Sequence, residues 1–179
     1  MNNYTRTGKI IVGALTLIIL VFGCSSKSSG LDQWDIKPLV DAFLRAHVRY
    51  SEFDNNISEK TLKNIVNQLD PGKYYFYKKD IEGFQKYRHK IDDYIQNNQF
   101  DFLDDIYSLY KKRFLESNRL INELIKSKFD FTVDEKIIVD RDKVDYAETK
   151  AEMRDRWRKN VKLQLLNYLS SGQSLAEAK

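Results

Sequence analysis

QFDFLDDIYSLYKKRFLESNRLINELIKS, residues 99–127, is the stretch that decides the fold. Leu103, Ile106, Tyr110, Phe114, Ile121 and Leu124 recur at helical spacing and form one stripe, broken only at Ser117. The spacing predicts a long amphipathic helix, and the same period runs outward from it in both directions. Toward the N-terminus, Ile81, Phe84, Ile91 and Ile95 predict a helix capped by Asp80 and reaching about Gln96, where Asn97-Asn98 interrupts it.

Before that helix lies an aromatic run, Lys73-Tyr74-Tyr75-Phe76-Tyr77, preceded by Leu69-Asp70-Pro71-Gly72. Pro71 biases Asp70 out of the α region and Gly72 permits a turn, so an upstream helix stops here. That helix is expected to start at a cap formed by Ser58 with Glu59 and to run through Gln68. Leu39, Phe43, Ala46 and Tyr50 predict one face of a further helix starting near Leu31; Pro38 lies early in that run, and because a first-turn Pro is tolerated the main helix is expected to begin just before it.

Toward the C-terminus, Phe129–Val139 is less regular, and residues 134–140 read as a short strand or an irregular turn. A last long helix from about Asp145 to Leu169 places Tyr146, Met153, Trp157, Val161, Leu165 and Tyr168 on one side. Ser170-Ser171-Gly172 closes it, and Ser174 reads as the N-cap of one more helix that the chain ends within after about one turn. The expected fold is all-α, an irregular bundle of about five or six amphipathic helices over residues 31–179, after an N-terminal signal or anchor helix.

Composition agrees. The 179 residues are 42% hydrophobic and 13% aromatic, enough apolar surface to exclude disorder for most of the chain. A single Cys excludes an intrachain disulfide and a Cys-cluster metal site. Arg6 and Lys9 are the charges of residues 1–23, so removing them from the 30 Lys+Arg leaves 28 against 26 Asp+Glu. That near balance gives no case for nucleic-acid binding, which asks for a basic face.

The single Cys has a telling position. Ile10–Phe22 is an uncharged run that a helix would stretch over roughly 20 Å, short of a bilayer's ~30 Å core. It follows a basic start and ends at Val21-Phe22-Gly23-Cys24, ahead of a Ser-rich stretch to Gly30. This arrangement resembles a bacterial lipoprotein signal. The resemblance implies a signal peptide over residues 1–23, lipidation of Cys24, a flexible tether over 24–30, and a membrane-anchored domain facing the periplasm.

Catalytic equipment is not legible. His47 and His89 share no metal-ligand spacing; His47 is expected to be partly buried and hydrogen-bonded, His89 solvated. Asp92-Asp93 and Asp104-Asp105 are adjacent in sequence, but neighbouring helical side chains diverge, so neither pair makes an acid–base dyad. Ser108-Leu109-Tyr110-Lys111 matches S-x-x-K without the partner motifs that acyl enzymes of that kind carry. Residues 73–79 interleave aromatics with Lys, and core packing explains them better than stacking on nucleic acid. No cofactor or metal is expected.

Several ordered stretches are similar to the N-terminal domain of the tail-specific protease family, the carboxyl-terminal processing peptidases. They are Leu69-Asp70-Pro71-Gly72-Lys73-Tyr74-Tyr75-Phe76, Lys79-Asp80-Ile81-Glu82-Gly83-Phe84, Phe129-Asp130-Phe131-Thr132-Val133-Asp134-Glu135, Asp140-Arg141-Asp142 and Ala151-Glu152-Met153 through Val161-Lys162. His47 to Ser58 resembles a further family stretch, with Val48, Asn55 and Asn56 departing from it. In that family the helical region precedes a PDZ domain and a Ser–Lys protease core in the bacterial envelope. The resemblance implies a truncated, non-catalytic domain. No family catalytic residue maps onto this sequence. It also implies partners among a protease core, an adaptor or unfolded protein substrates. The alternative is an independent lipid-anchored lipoprotein that binds a protein partner.

Overall fold

The computed structural model describes residues 33–48, 52–172 and 174. Six α-helices account for most of them: α1 Gln33–Ala46, α2 Asn55–Leu69, α3 Lys78–Phe84, α4 Ile91–Gln96, α5 Asp101–Ile125 and α6 Lys150–Ser170. Among the described residues there is no strand, only an isolated parallel bridge between Tyr77 and Ala147. The all-α reading therefore holds. No described helix is long and apolar enough to cross a membrane. Cys24 and its flanking residues lie outside the described residues, as does the helix expected after Ser174.

Two apolar centres sit on α5. Around its first half, Leu62 and Val66 of α2 meet Phe76, Phe84, Tyr87, Ile91, Ile95, Phe102 and Ile106. Around its second half, Leu124 packs with Val161 and Leu165 of α6, with Trp157, Phe129 and Phe131 at the border. The long stripe thus serves both clusters, and Ser117, its apparent flaw, is buried at the join. Its hydroxyl donates to the Tyr74 carbonyl at 3.4 Å.

The chain departs from the expected elements in four places. Helix α2 begins a turn early because the Asp54 carboxylate accepts the Ile57 N–H at 2.9 Å. Ser58 is consequently no cap; it is fully buried and exchanges hydrogen bonds with Asp92 of α4. The helix expected from Asp80 to Gln96 is broken by a 3-10 turn over Gln85–Tyr87. Residues 85–90 hold one apolar side chain, Tyr87, so a continuous helix would gain little there, and the bend lets α4 pack on α2.

Helix α1 differs most. It starts at Gln33, and Pro38 falls inside it rather than in the first turn. Ile36 and Val40 turn to the core, whereas Leu39 and Phe43, of the face read from spacing, are 55% and 65% exposed. The four residues share one broad apolar face, and only its Ile36/Val40 edge packs. On α6, Met153, Val161 and Leu165 are buried as expected and Trp157 is half-buried, but Tyr168 is exposed and Tyr146 lies before the helix.

Candidate functional site

The aromatic run is held by a turn whose successive N–H groups converge on one carboxylate. Asp70 ends α2 and is 1% exposed. Its carboxylate accepts the N–H groups of Tyr74 at 2.7 Å, Tyr75 at 3.0 Å and Phe76 at 2.8 Å. Burial pushes this carboxyl up in pKa, opposed by those three donors and by Arg156. Lys73 adopts a left-handed backbone with φ 55°, and a Cβ on Gly72 would stand 2.6 Å from the Tyr74 ring. Glycine at 72 is therefore a packing requirement.

Helix α6 staples this turn from outside. Arg156 donates to the Lys73 and Asp145 carbonyls, Trp157 Nε1 to the Tyr74 carbonyl at 2.9 Å, and Asn160 to the Tyr74 hydroxyl at 3.0 Å. In return Lys73 Nζ reaches the carbonyls of Arg141 at 3.0 Å and of Val144. Below the turn, Asp80 caps α3 by accepting the Tyr77 N–H and forms a buried, bidentate ion pair with Arg113 at 2.8 and 2.9 Å. The guanidinium also lies over the Tyr77 ring, 4.7 Å from its centroid.

A groove opens beside these staples. Residues 129–140 cross over α6 without forming a regular element and lead into a 3-10 turn at Arg141–Lys143, and a cavity of about 660 Å³ lies between residues 136–144 and the helix. Gly72 and Tyr74 close one end; Ile137, Ile138, Val139, Val144 and Leu163 supply apolar wall. Four cations, Lys136, Arg141, Arg156 and Lys159, line it against two carboxylates, Glu152 and Asp155. Asp155 is already paired, with Arg158 at 2.8 Å and Lys159 at 2.7 Å.

The crossing segment is anchored by charge. Lys162, buried in spite of its ammonium, donates to the Val133 carbonyl at 2.9 Å and to Glu135 at 2.7 Å. Glu135 also receives the Arg158 guanidinium. Arg158 first, then Lys162, pull the Glu135 carboxyl down to about 2. Sequence reading missed Asp70, Arg113 and Lys162 as structural pivots, because a charged residue read alone is assigned to solvent.

The residues weighed for chemistry are placed plainly. Ser108 and Lys111 are both exposed on α5, outside the two apolar centres. His47 is half-buried with its ring 5.4 Å from that of Phe43, and His89 is exposed, 3.8 Å from Glu59. Asp92 serves Ser58, while Asp104 and Asp105 are exposed. Among the described residues no cluster of His, Cys, Asp and Glu is arranged to hold a metal ion.

Fold and groove together define a class, an all-α domain with an open, mixed apolar and cationic furrow along one helix. The family model for the tail specific protease N-terminal domain matches residues 39–179, and the chain belongs to that family. The tail-specific protease of Haemophilus influenzae is 26% identical over 136 residues, 75% of this chain. The match covers 20% of that protein's length, so this chain spans about a fifth of the relative it resembles.

Proposed function

We propose that the chain is a non-catalytic helical domain of a bacterial envelope tail-specific protease, serving as a scaffold that holds substrate or adaptor proteins. The groove between residues 136–144 and α6 carries this reading. It is open, walled by aliphatic side chains and edged by cations, and beside it runs a segment of unpaired backbone, features that a polypeptide can use. The family supports the setting: an N-terminal domain that works beside a Ser–Lys core supplies binding rather than bond cleavage. A photo-crosslinking residue at Leu163, used in intact cells, tests it. Adducts with a protease core, an adaptor or its client proteins are expected; a crosslinked fraction no larger than at exposed Ser108 would refute the groove.

The position of Cys24 favours a second reading, an independent lipid-anchored lipoprotein of the envelope with its own protein partner. Metabolic labelling with a fatty acid separates the anchor from an uncleaved apolar leader. Label on the native chain and none on Cys24→Ala is the expected result; equal label on both would reject lipidation.

A further inference from the structure

Residues 136–139, Lys-Ile-Ile-Val, belong to no helix, turn or strand, and they lead into an extended Asp140 with φ −71° and ψ 104°. None of the N–H and C=O groups of Lys136, Ile137, Ile138 and Val139 takes part in a hydrogen bond among the described residues. Lys136, Ile138 and Val139 are exposed, so water can take these groups, and an incoming strand can take the place of that water. The residues are also those that favour strands: Ile137-Ile138-Val139 is β-branched throughout. Ile137 is half-buried, while Ile138 and Val139 are 60% and 89% exposed.

The segment is nonetheless fixed at both ends. On one side Glu135 and the Val133 carbonyl are held by Lys162 and Arg158. On the other, Asp140 accepts the Asp142 N–H at 3.1 Å, and Lys73 holds the Arg141 and Val144 carbonyls. The four residues between these anchors, 136–139, fall within the usual length of a strand, about 3–10 residues. A rigid, unpaired edge costs little further ordering when a second strand arrives.

From this we infer that residues 136–139 are a docking edge for an extended, acidic peptide segment, which adds to them as a β-strand and lays its side chains in the groove against α6. The inference rests on the scaffold reading above and names the ligand of that groove. Main-chain hydrogen bonds to an exposed edge give such binding its affinity, and flanking pockets give selectivity. Charge selects an acidic occupant. Four cations line the groove against Glu152 and Asp155; Lys136, Arg141 and Glu152 make no ion pair among the described residues, and Asp155 is already paired with Arg158 and Lys159, so the lining keeps a positive excess.

The test uses the full chain and a synthetic peptide of alternating Val and Thr with Glu at its ends. Controls are the same peptide with Lys for Glu, and one with Pro at alternate positions. Saturable binding of the acidic peptide is expected, with amide hydrogen exchange slowed at residues 136–139. Ile138→Pro deletes one N–H from an exposed, unbonded position and should weaken binding by about tenfold, the equivalent of one main-chain hydrogen bond, while Ser108→Ala, outside the groove, leaves it unchanged. An unaltered melting temperature for Ile138→Pro shows that the fold is intact. Binding without protection at 136–139, or indifferent to Ile138→Pro, overturns the strand-addition inference and leaves the scaffold reading standing. Equal binding of the Lys peptide overturns the acidic preference. Failure of every peptide to bind overturns the inference alone, because crosslinking at Leu163 reads the scaffold role independently.

Discussion

Residues 70–77 and residues 134–140 are both irregular, short and rich in large apolar side chains, yet they are built in opposite ways. In the first, one buried carboxylate accepts three successive N–H groups, and Ser117, Arg156 and Trp157 take up carbonyls. In the second, four consecutive residues have no internal hydrogen bond at all. The difference teaches that absence of regular structure says nothing about rigidity or purpose. An Asp in the right place stands in for a strand partner and lets a turn enter the core. Without such a residue the backbone must stay at the surface, open to solvent or to another chain.

The sharpest way to break the first region is at its pivot. Asp70→Ala strands three amide donors in or near the core, each worth about 1–3 kcal/mol when unsatisfied, so a loss of about 5 kcal/mol is expected in urea denaturation. Asp70→Asn keeps an acceptor oxygen and should cost roughly half as much. A loss below about 1 kcal/mol for Asp70→Ala would show that water replaces the carboxylate and that the two regions are less different than argued.

Arg113→Met comes next. It removes one member of a buried pair and leaves the Asp80 carboxylate unpaired, at a cost of about 3 kcal/mol. The double change Asp80→Asn with Arg113→Met should recover part of that loss, because no charge is then left buried. Additive single losses in this double-mutant cycle would deny the coupling.

How far these regions were readable in the sequence depends on what physics each one obeys. The stripe on α5 and the stop at Asp70-Pro71-Gly72 are local effects, and both emerge from spacing and turn chemistry. The buried side of α1 does not. Leu39, Phe43, Ile36 and Val40 are related by three, four and seven residues and so form one broad apolar face, and only tertiary packing decides that its Ile36/Val40 edge is the one covered. Lys162 follows Val161 in a polar helix and reads as a solvated charge, but Glu135, 27 residues earlier, draws it inward. The groove was the least legible feature. It is made of what residues 134–140 fail to bond, and sequence patterns report bonds that form.

Acid should loosen the second region selectively. The Glu135 carboxyl titrates near 2 in the folded chain against an ordinary 4.5. A depressed carboxyl contributes stability that is fully present above the unfolded value and disappears as pH falls through the folded one. The anchor of residues 129–139 is therefore complete above about pH 4.5 and fades between there and pH 2. Amide protection factors across residues 129–135, which divide out the intrinsic pH dependence of exchange, should fall over that window, and Glu135→Gln should lower them already at neutral pH. An identical pH profile in the variant would mean that Glu135 does not hold the segment.

The smallest effect separates binding from folding. Val139 is 89% exposed and bonds to nothing, so Val139→Thr should change stability by less than about 0.5 kcal/mol, whereas comparable truncation in the turn of residues 70–77 is costly. Thr keeps the β-branch and with it the extended preference of the backbone, so the edge itself survives. What the change removes is one methyl from the groove wall and nothing from the core. A measurable drop in melting temperature would mean that Val139 is covered in solution by some other part of the chain. In that case residues 134–140 already have their partner, and the contrast between the two regions collapses.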